Sequence, residues 1–435
     1  MAVEDSQRRL TATVAWQHRD FRYYSVARFV GVMGGEAQAV GVAWQVYQLT
    51  HSALALGYTG LALFLPGLFF TLPAGHVADL YDRRSVILVC YALQLTATLS
   101  LFTLTLHGIH NIWAVYGILF VIGLGRCFSG PAAQSLVPTL VPKEHFVNAV
   151  TWGASTYQSA NAFGPMIGGL LFTITLTGRG AFLNGAPLVY LFTAICIVLF
   201  IIFVGLLHPR GAAEKKGFTI DTMLAGLRYV VSTRLLLGSI SLDLFAVLLG
   251  GAVSLLPIFA ADVLHRGAHA LGLLRAMPSI GALLVSLALS FLPIKRDAGK
   301  TMLACVGGFG LATLAFGLSH TLWISCVALF ITGATDMVSV VVRSSILQLA
   351  TPAEMRGRVS SVNWLFIGAS NEFGEYESGL TAHWFGAVRA VLLGGIGTLV
   401  VTGLWTVFFP ALRKADRLTA EDLMAAEEAL TVASR

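Results

Sequence analysis

The chain breaks into twelve runs of predominantly apolar residues, each near or above the roughly 20 residues that carry a helix across a bilayer. They fall at about 24–48, 54–74, 85–106, 111–137, 146–174 and 186–207, then at about 235–262, 269–293, 300–318, 321–345, 359–383 and 388–409. Backbone N–H and C=O groups cannot be left bare in hydrocarbon, so a spanning segment must close its hydrogen bonds as a helix or across a closed barrel. Helix-length runs between short polar breaks argue against the short alternating strands of a barrel. The expectation is an all-α membrane protein with twelve transmembrane helices. With 56% hydrophobic and 11% charged residues and a mean hydropathy of +0.77, the chain cannot be a string of soluble domains.

The runs form two matched sets. Residues 119–170 lie on 329–380 at a constant shift of 210 positions, without a gap. Leu119 and Phe120 meet Leu329 and Phe330, Gly123 meets Gly333, Ser135 meets Ser345 and Pro142 meets Pro352. Glu144 meets Glu354, Asn161 meets Asn371, Phe163 and Gly164 meet Phe373 and Gly374, and Gly169 and Leu170 meet Gly379 and Leu380. Internal duplication is how many transporters are built, with the substrate path between the repeats. The halves disagree in charge at a few positions: Arg126 is answered by Asp336, and Ala162, Pro165 and Ile167 by Glu372, Glu375 and Glu377.

Lys and Arg set the orientation. With the N-terminus in the cytoplasm, the inner segments hold 21 of them and the outer loops only Arg179, Arg266 and Arg389. That bias places both termini in the cytoplasm. The net charge of +6 is then a topology signal and requires no nucleic-acid partner. Residues 1–22 are too polar and charged for a cleavable signal peptide. The chain divides into an N-terminal six-helix half at 1–207, a cytoplasmic linker at 208–234, a C-terminal six-helix half at 235–412 and a cytoplasmic tail at 413–435. Within the linker, Ile220, Met223, Leu224, Leu227 and Val231 recur at helical spacing and predict a short helix along the membrane face. In the tail, Thr419 and Asp422 have the spacing of a helix start. The five cysteines lie within or at the edge of apolar runs and read as small apolar side chains. The histidines have no metal-site spacing, and neither metal nor cofactor is expected.

Residues 75–84 join the second and third runs and read Gly-His-Val-Ala-Asp-Leu-Tyr-Asp-Arg-Arg. Gly75 permits close helix approach. Asp79 can accept from Arg83 or Arg84, or from N–H groups at a helix start, and so latch the turn. In the fourth run Arg126 is followed by Gly130; an arginine in an apolar helix costs about 2.5–3.5 kcal/mol on insertion scales, so it must face protein or water. In the fifth, Gly164 and Gly168 share a face and Pro165 interrupts the hydrogen-bond ladder. Together these stretches resemble the major facilitator superfamily, and the Asp-Arg-Arg loop end resembles its branch of enterobactin-type siderophore exporters and drug efflux pumps. The match departs at Val77, where the family usually has Leu, and at Asp82, where it usually has a second Gly. The resemblance implies that Gly75, Asp79, Arg83 and Arg84 form a cytoplasmic gate that stabilises the outward-facing state. It implies that Arg126 belongs to a motif of proton antiporters, and that Gly164, Pro165 and Gly168 belong to a packing motif of antiporters. An arginine would act there by tuning a neighbouring carboxylate.

The acids are the sharpest feature of the apolar runs. Glu36 and Asp336 are central in theirs, and Glu372 and Glu375 lie about 60° apart on one helix face. Carboxylates in hydrocarbon must be protonated, paired with a cation or wet. Glu36, Arg126, Asp336, Glu372, Glu375 and Arg343 are the expected proton-coupling and substrate-cavity residues. Asp243 and Asp262, near run ends, read as structural. Trp44, Tyr47, Tyr157, Gln158, Asn161, Asn363 and Trp364 are further candidates for a cavity lining. The function expected is a proton-coupled exporter of a small organic molecule such as a siderophore or drug, monomeric, multi-pass in a bacterial inner membrane, and not an enzyme. A proton- or cation-coupled importer, or a divalent-metal or lipid transporter of the same fold, is the alternative.

Overall fold

The computed structural model describes residues 14–175, 183–208, 220–292, 294, 296–352 and 355–416. The first 13 residues, residues 176–182, residues 209–219 of the linker and the tail beyond 416, with its capping residues Thr419 and Asp422, lie outside them. The described residues are predominantly helical, with no strand among them. The long helices are α1 (Arg19–Thr50), α2 (Ala53–Leu80), α3 (Arg83–Leu106), α4 (Ile112–Leu140), α5 (Phe146–Thr173) and α6 (Ala186–Gly205). The linker helix α7 (Ile220–Ser232) follows. Then come α8 (Arg234–Gly250), α9 (Ala268–Phe291), α10 (Ala298–Gly317), α11 (Leu322–Leu349), α12 (Arg356–Phe385), α13 (Ala387–Phe408) and the short α14 (Pro410–Lys414). Nine described helices are long and apolar enough to cross a membrane; α1, α5 and α12 are not among those nine.

The chain forms two compact units, residues 1–45 with 65–218, and residues 46–64 with 219–435. In the first, α3 packs on α4 and α6 around Ile87, Leu136, Leu140, Phe200 and Val204, with Tyr91 stacked on Phe200 at 3.5 Å between centroids. Small residues bring α1 against α5: a Cβ at Gly164 would sit 2.6 Å from Glu36 Cβ and 2.7 Å from the Met33 carbonyl oxygen. One at Gly168 would sit 2.6 Å from the Ala37 carbonyl oxygen. Only glycine lets the backbones come this close. Pro165 lies between the two, inside the helix.

In the second unit, α11 packs against α9 and α10, and α8 against α12 and α13. Gly374, the repeat partner of Gly164, abuts the Val247 and Leu248 carbonyls of α8, at 3.3 and 3.2 Å from where its Cβ would be. The duplication read in the sequence thus recurs in packing, fifth helix on first in each repeat. The first half of α2 belongs to this unit by its contacts. Gly57 and Gly379 cross so closely that a Cβ at 379 would lie 2.8 Å from the Gly57 Cα, flanked by Tyr58 on Tyr376 at 6.0 Å and Phe64 on Phe373 at 4.7 Å. The linker helix α7 forms as its periodicity predicts. It seats Gly226 against the Arg358 carbonyl of α12, and Tyr229 Oη donates to the Ala350 carbonyl at 3.1 Å.

After α8 the chain unwinds at Gly250 and Gly251 and continues through short turns to a π-helical segment, Phe259–Val263. A broken helix at membrane depth is tolerated where its backbone groups find partners or line a cavity. Here Ser378 Oγ donates to the Gly251 carbonyl at 2.7 Å.

Candidate functional site

Each unit holds a partly open cavity with polar and charged side chains in its lining. In the first it measures about 210 Å³ and is lined by Glu36 and Gln38 of α1, Gln94 and Thr98 of α3, Arg126 of α4 and Tyr157 of α5, among others. The Arg126 guanidinium crosses from α4 towards α1, its Nη2 3.5 Å from where a Cβ would stand on Gly35, next to Glu36. Thr98 Oγ1 donates to Gln38 Oε1 at 3.0 Å, and Arg28 lies over the Tyr157 ring at 5.3 Å. Glu36 and Arg126, 90 positions apart in the chain, therefore line one small cavity.

The second unit's cavity measures about 280 Å³. Its walls include the unwound Gly250 and Gly251, Thr332 and Asp336 of α11, and Asn371 and Glu375 of α12. Arg126 and Asp336 are repeat partners, and each lines the cavity of its own unit. Glu375, at the position of Pro165, lies across Gly60 of α2, where a Cβ would meet its Oε2 at 2.7 Å. Glu372 is in neither lining. Glu377 turns to an apolar crevice with Leu244, Leu248 and Leu380 and accepts from Thr381 Oγ1 at 2.7 Å.

Arg343 is also elsewhere. It lies two turns beyond Asp336 on α11, almost wholly buried, and its guanidinium pairs with Asp243 of α8 among Leu242, Ala246, Val342 and Ile346. Asp243, which its position in the sequence marks as a span-end residue, is only 6% exposed. Asp262 also has a partner, the phenol of Tyr47, which donates to its carboxylate. Of the other lining candidates, Tyr157 lines the first cavity, and the side chain of Trp364 lies outside the described residues.

At the turn between α2 and α3, the Asp79 side chain lies outside the described residues and Gly75 sits in the last turns of α2. Arg83 Nη1 donates to the Ser135 carbonyl of α4 at 2.9 Å, and Arg84 donates to the Gly205 carbonyl at the end of α6. Both cations thus sit at helix C-terminal regions, where the exposed carbonyls and the helix dipole favour them. Asp82 caps α3, accepting from Ser85 N at 2.9 Å and Ser85 Oγ at 2.7 Å. Partial burial works to raise the Asp82 carboxyl, but the bonds from Ser85 and Arg84, with the Arg84 charge, outweigh it and hold it below the ordinary aspartate value.

Sequence reasoning missed Gln94 and Gln38 in the lining, and it did not foresee that Asp243, read as structural, is the partner of Arg343. A requirement that a buried arginine have an acidic partner points towards an aspartate such as Asp243; nothing in the local pattern distinguishes the two glutamines. Among the described residues no three His, Cys, Asp or Glu side chains come together as a metal site.

Two kinds of likeness bear on this arrangement. The chain is 29% identical to the Enterobactin exporter EntS of Shigella boydii serotype 18 over 400 residues, 88% of this chain and 86% of that one. It is equally similar to the exporter of the same name from Escherichia coli O1:K1 / APEC. Among solved structures, a bacterial homologue of the human lysosomal transporter Spinster, inward-facing and unoccupied, superposes with a TM-score of 0.69 at 14% identity, covering 94% of this chain and 98% of that one. A bacterial homologue of the iron transporter ferroportin, inward-facing, gives 0.66 at 15%, covering 89% and 98%. These two share the fold. The chain is a multi-pass protein of a bacterial inner membrane and a transporter, not an enzyme. The profile of transmembrane secretion effectors matches residues 11–435, and the chain belongs to that family of the major facilitator superfamily.

Proposed function

We propose that the protein is a proton-coupled exporter, an antiporter of a small organic molecule such as a siderophore, that alternates access between its two six-helix halves. The observation that carries this reading is the 29% identity to enterobactin exporters along 88% of the chain. The two cavities support it, because a carboxylate lining a cavity within the helices can exchange a proton for a substrate group. Glu36 with Arg126, and Asp336 with Glu375, are the coupling sets. Glu372 lies outside both linings, and Arg343 acts through Asp243 as a positioning residue. Gly75, Asp79, Arg83 and Arg84 form the cytoplasmic gate, and Gly164, Pro165 and Gly168 the packing hinge between α1 and α5. The reading includes twelve spans, both termini in the cytoplasm, halves at 1–207 and 235–412, and a monomer.

The test is efflux from proteoliposomes under an imposed pH gradient, with siderophores and drugs offered in turn. Asp336→Asn and Arg126→Ala are expected to abolish gradient-driven movement while the protein still inserts and folds. Undiminished transport in both variants would reject the coupling assignment. Reversed flux in vesicles of known orientation would reject export.

A further inference from the structure

The second unit seats the linker helix α7 at the turn between α11 and α12, through Tyr229 on the Ala350 carbonyl and Gly226 on Arg358. The first unit repeats that arrangement on a smaller scale. A one-turn helix, Val14–Gln17, stands a single residue before α1, as α7 stands a single residue before α8. It packs on α5 and on the end of α4. Ala15 is fully buried with Phe21, Val141 and Ala149, and Trp16 meets Phe21 and Trp152 edge to face at 5.9 and 5.6 Å. The Ala15 N–H donates to Asn148 Oδ1 at 3.1 Å. Asn148 and Arg358 are repeat partners at the 210-residue shift, so each unit seats the segment ahead of its first helix on the same position of its fifth.

The two seats differ in chemistry at one point. His18, between the one-turn helix and α1, meets His145 of the α4–α5 turn, Nε2 to Nδ1 at 2.8 Å. The ring centroids are 5.1 Å apart, so the nitrogens lie close to the line joining the ring centres and the rings meet tip to tip. A metal ion needs about 2.0–2.1 Å to each imidazole nitrogen and does not fit on that line. The contact is an N–H···N hydrogen bond, in which one ring donates and the other accepts. The bond forms when the pair is neutral, and one extra proton strengthens it. With both rings protonated, two donors face each other, no acceptor remains and two like charges stand in contact. The charged residues around the pair are Arg19, Asp20 and Arg22 on α1 and Lys143 and Glu144 on the turn; the one-turn helix and the first two turns of α5 carry none. Asp20 and Glu144 can attract protons to the pair, but neither restores the acceptor between the rings. In the second unit the corresponding residues are Thr233 and Met355, which do not titrate.

We infer that residues 14–18 are a proton-sensitive brace: a second proton on the His18–His145 pair releases them from α5, frees the inner end of that helix and slows transport when the cytoplasmic face turns acid. The inference rests on the exporter reading and adds its regulation. α5 packs on α1 through Gly164 and Gly168 and carries Tyr157 in the cavity lining, so its hold on α1 bears on the cavity. An antiporter that takes in protons delivers them to this face. The brace of the second unit, built on Tyr229 and a carbonyl, does not respond to them.

Hydrogen–deuterium exchange of the full chain in lipid nanodiscs tests the release, after correction for the intrinsic pH dependence of exchange. Protection of residues 14–22 is expected to fall at least about tenfold between about pH 8 and pH 5, where histidines ordinarily titrate, while α7 keeps its protection. His18→Gln presents an amide that can donate to a neutral His145 or accept from a protonated one, so its protection is expected to stay constant over that range. Trp16→Ala is expected to lose protection of residues 14–22 at both ends of it. Equal protection of the parent in acid and base, or a fall in His18→Gln as large as the parent's, would overturn the inference. Efflux of a tris-catechol siderophore from proteoliposomes, at one fixed gradient and two pH values on the cytoplasmic side, reads the regulation. The parent is expected to slow in acid several-fold more than His18→Gln. An identical pH dependence in the two overturns the brace and leaves the exporter reading intact. Acid release on exchange without movement of that siderophore or of the drugs offered removes the exporter reading and keeps the proton-sensitive release.

Discussion

Separating Arg343 from Asp243 is expected to cost more than any other single change in the second unit. The two side chains are 3% and 9% exposed, and apolar side chains surround the pair. Removing one partner leaves the other charge buried, which typically costs about 3–5 kcal/mol. Solvent screening offers little relief at this burial. Asp243→Leu and Arg343→Met should therefore each lose that much. The double variant should lie within about 1 kcal/mol of the parent or above it, since apolar replacement of a whole buried pair is often neutral or stabilising. The coupling between the two sites is then several kcal/mol, well beyond the spread expected of independent sites. Reversible unfolding in mixed micelles, followed by tryptophan fluorescence, yields all four corners of the cycle. A double variant that loses the sum of the two singles would falsify the argument, because it would mean that neither charge depends on the other.

Two further outcomes follow from the first unit. Gly168→Leu should separate α1 from α5, because its first side-chain carbon would lie 2.6 Å from the Ala37 carbonyl oxygen, a backbone atom that cannot swing aside; a loss of about 1–3 kcal/mol or more is expected in the same unfolding assay, with Gly168→Ala intermediate. Asp82→Ala removes the cap of α3 and should cost about 1 kcal/mol. Because the Asp82 carboxyl is held below its ordinary value in the folded chain, this contribution is complete above the unfolded value near pH 4 and disappears as pH falls through the folded one. Parent and variant should accordingly converge in stability in acid, and a gap that persists unchanged there would remove the capping role.

The architecture was legible because lipid restricts the options. Helix-length apolar runs give helices, and the 210-residue shift reappears as Gly164 and Gly374 in equivalent packing roles. The charged residues were legible as residues needing partners, but the partners themselves were not. Glu36 and Arg126 line one cavity because α1, α3, α4 and α5 border a common space; no spacing rule gives that. Asp243 and Arg343 are 100 positions apart, and the apparent proximity of Asp243 to a span end concealed its burial. The helical wheel places Glu372 and Glu375 on one face, yet only Glu375 reaches the lining, because a cavity wall is narrower than a helix face. Gln94 gave no signal at all, since an amide in an apolar helix looks the same whether its hydrogen bonds are satisfied or not.

One sequence property does mark the linings in advance. Among the described residues nine helices meet the length and apolarity of a bilayer span, and α1, α5 and α12 are not among them. These three carry much of the polar lining: Glu36 and Gln38 on α1, Tyr157 on α5, Asn371 and Glu375 on α12. Their shortfall in hydropathy follows from the polar side chains they turn to the cavities, and it is tolerated because each packs against other helices of its own unit. Within the first unit α5 closes on α1 through Gly164 and Gly168; within the second α12 lies against α8 and α13. A polar side chain on a helix shielded in this way avoids most of the insertion cost that a lipid-facing position would impose. The least apolar long helices of such a chain are thus the first places to look for its substrate, and the cavities that α1, α5 and α12 line hold Glu36, Arg126, Asp336 and Glu375 together in their respective pairs.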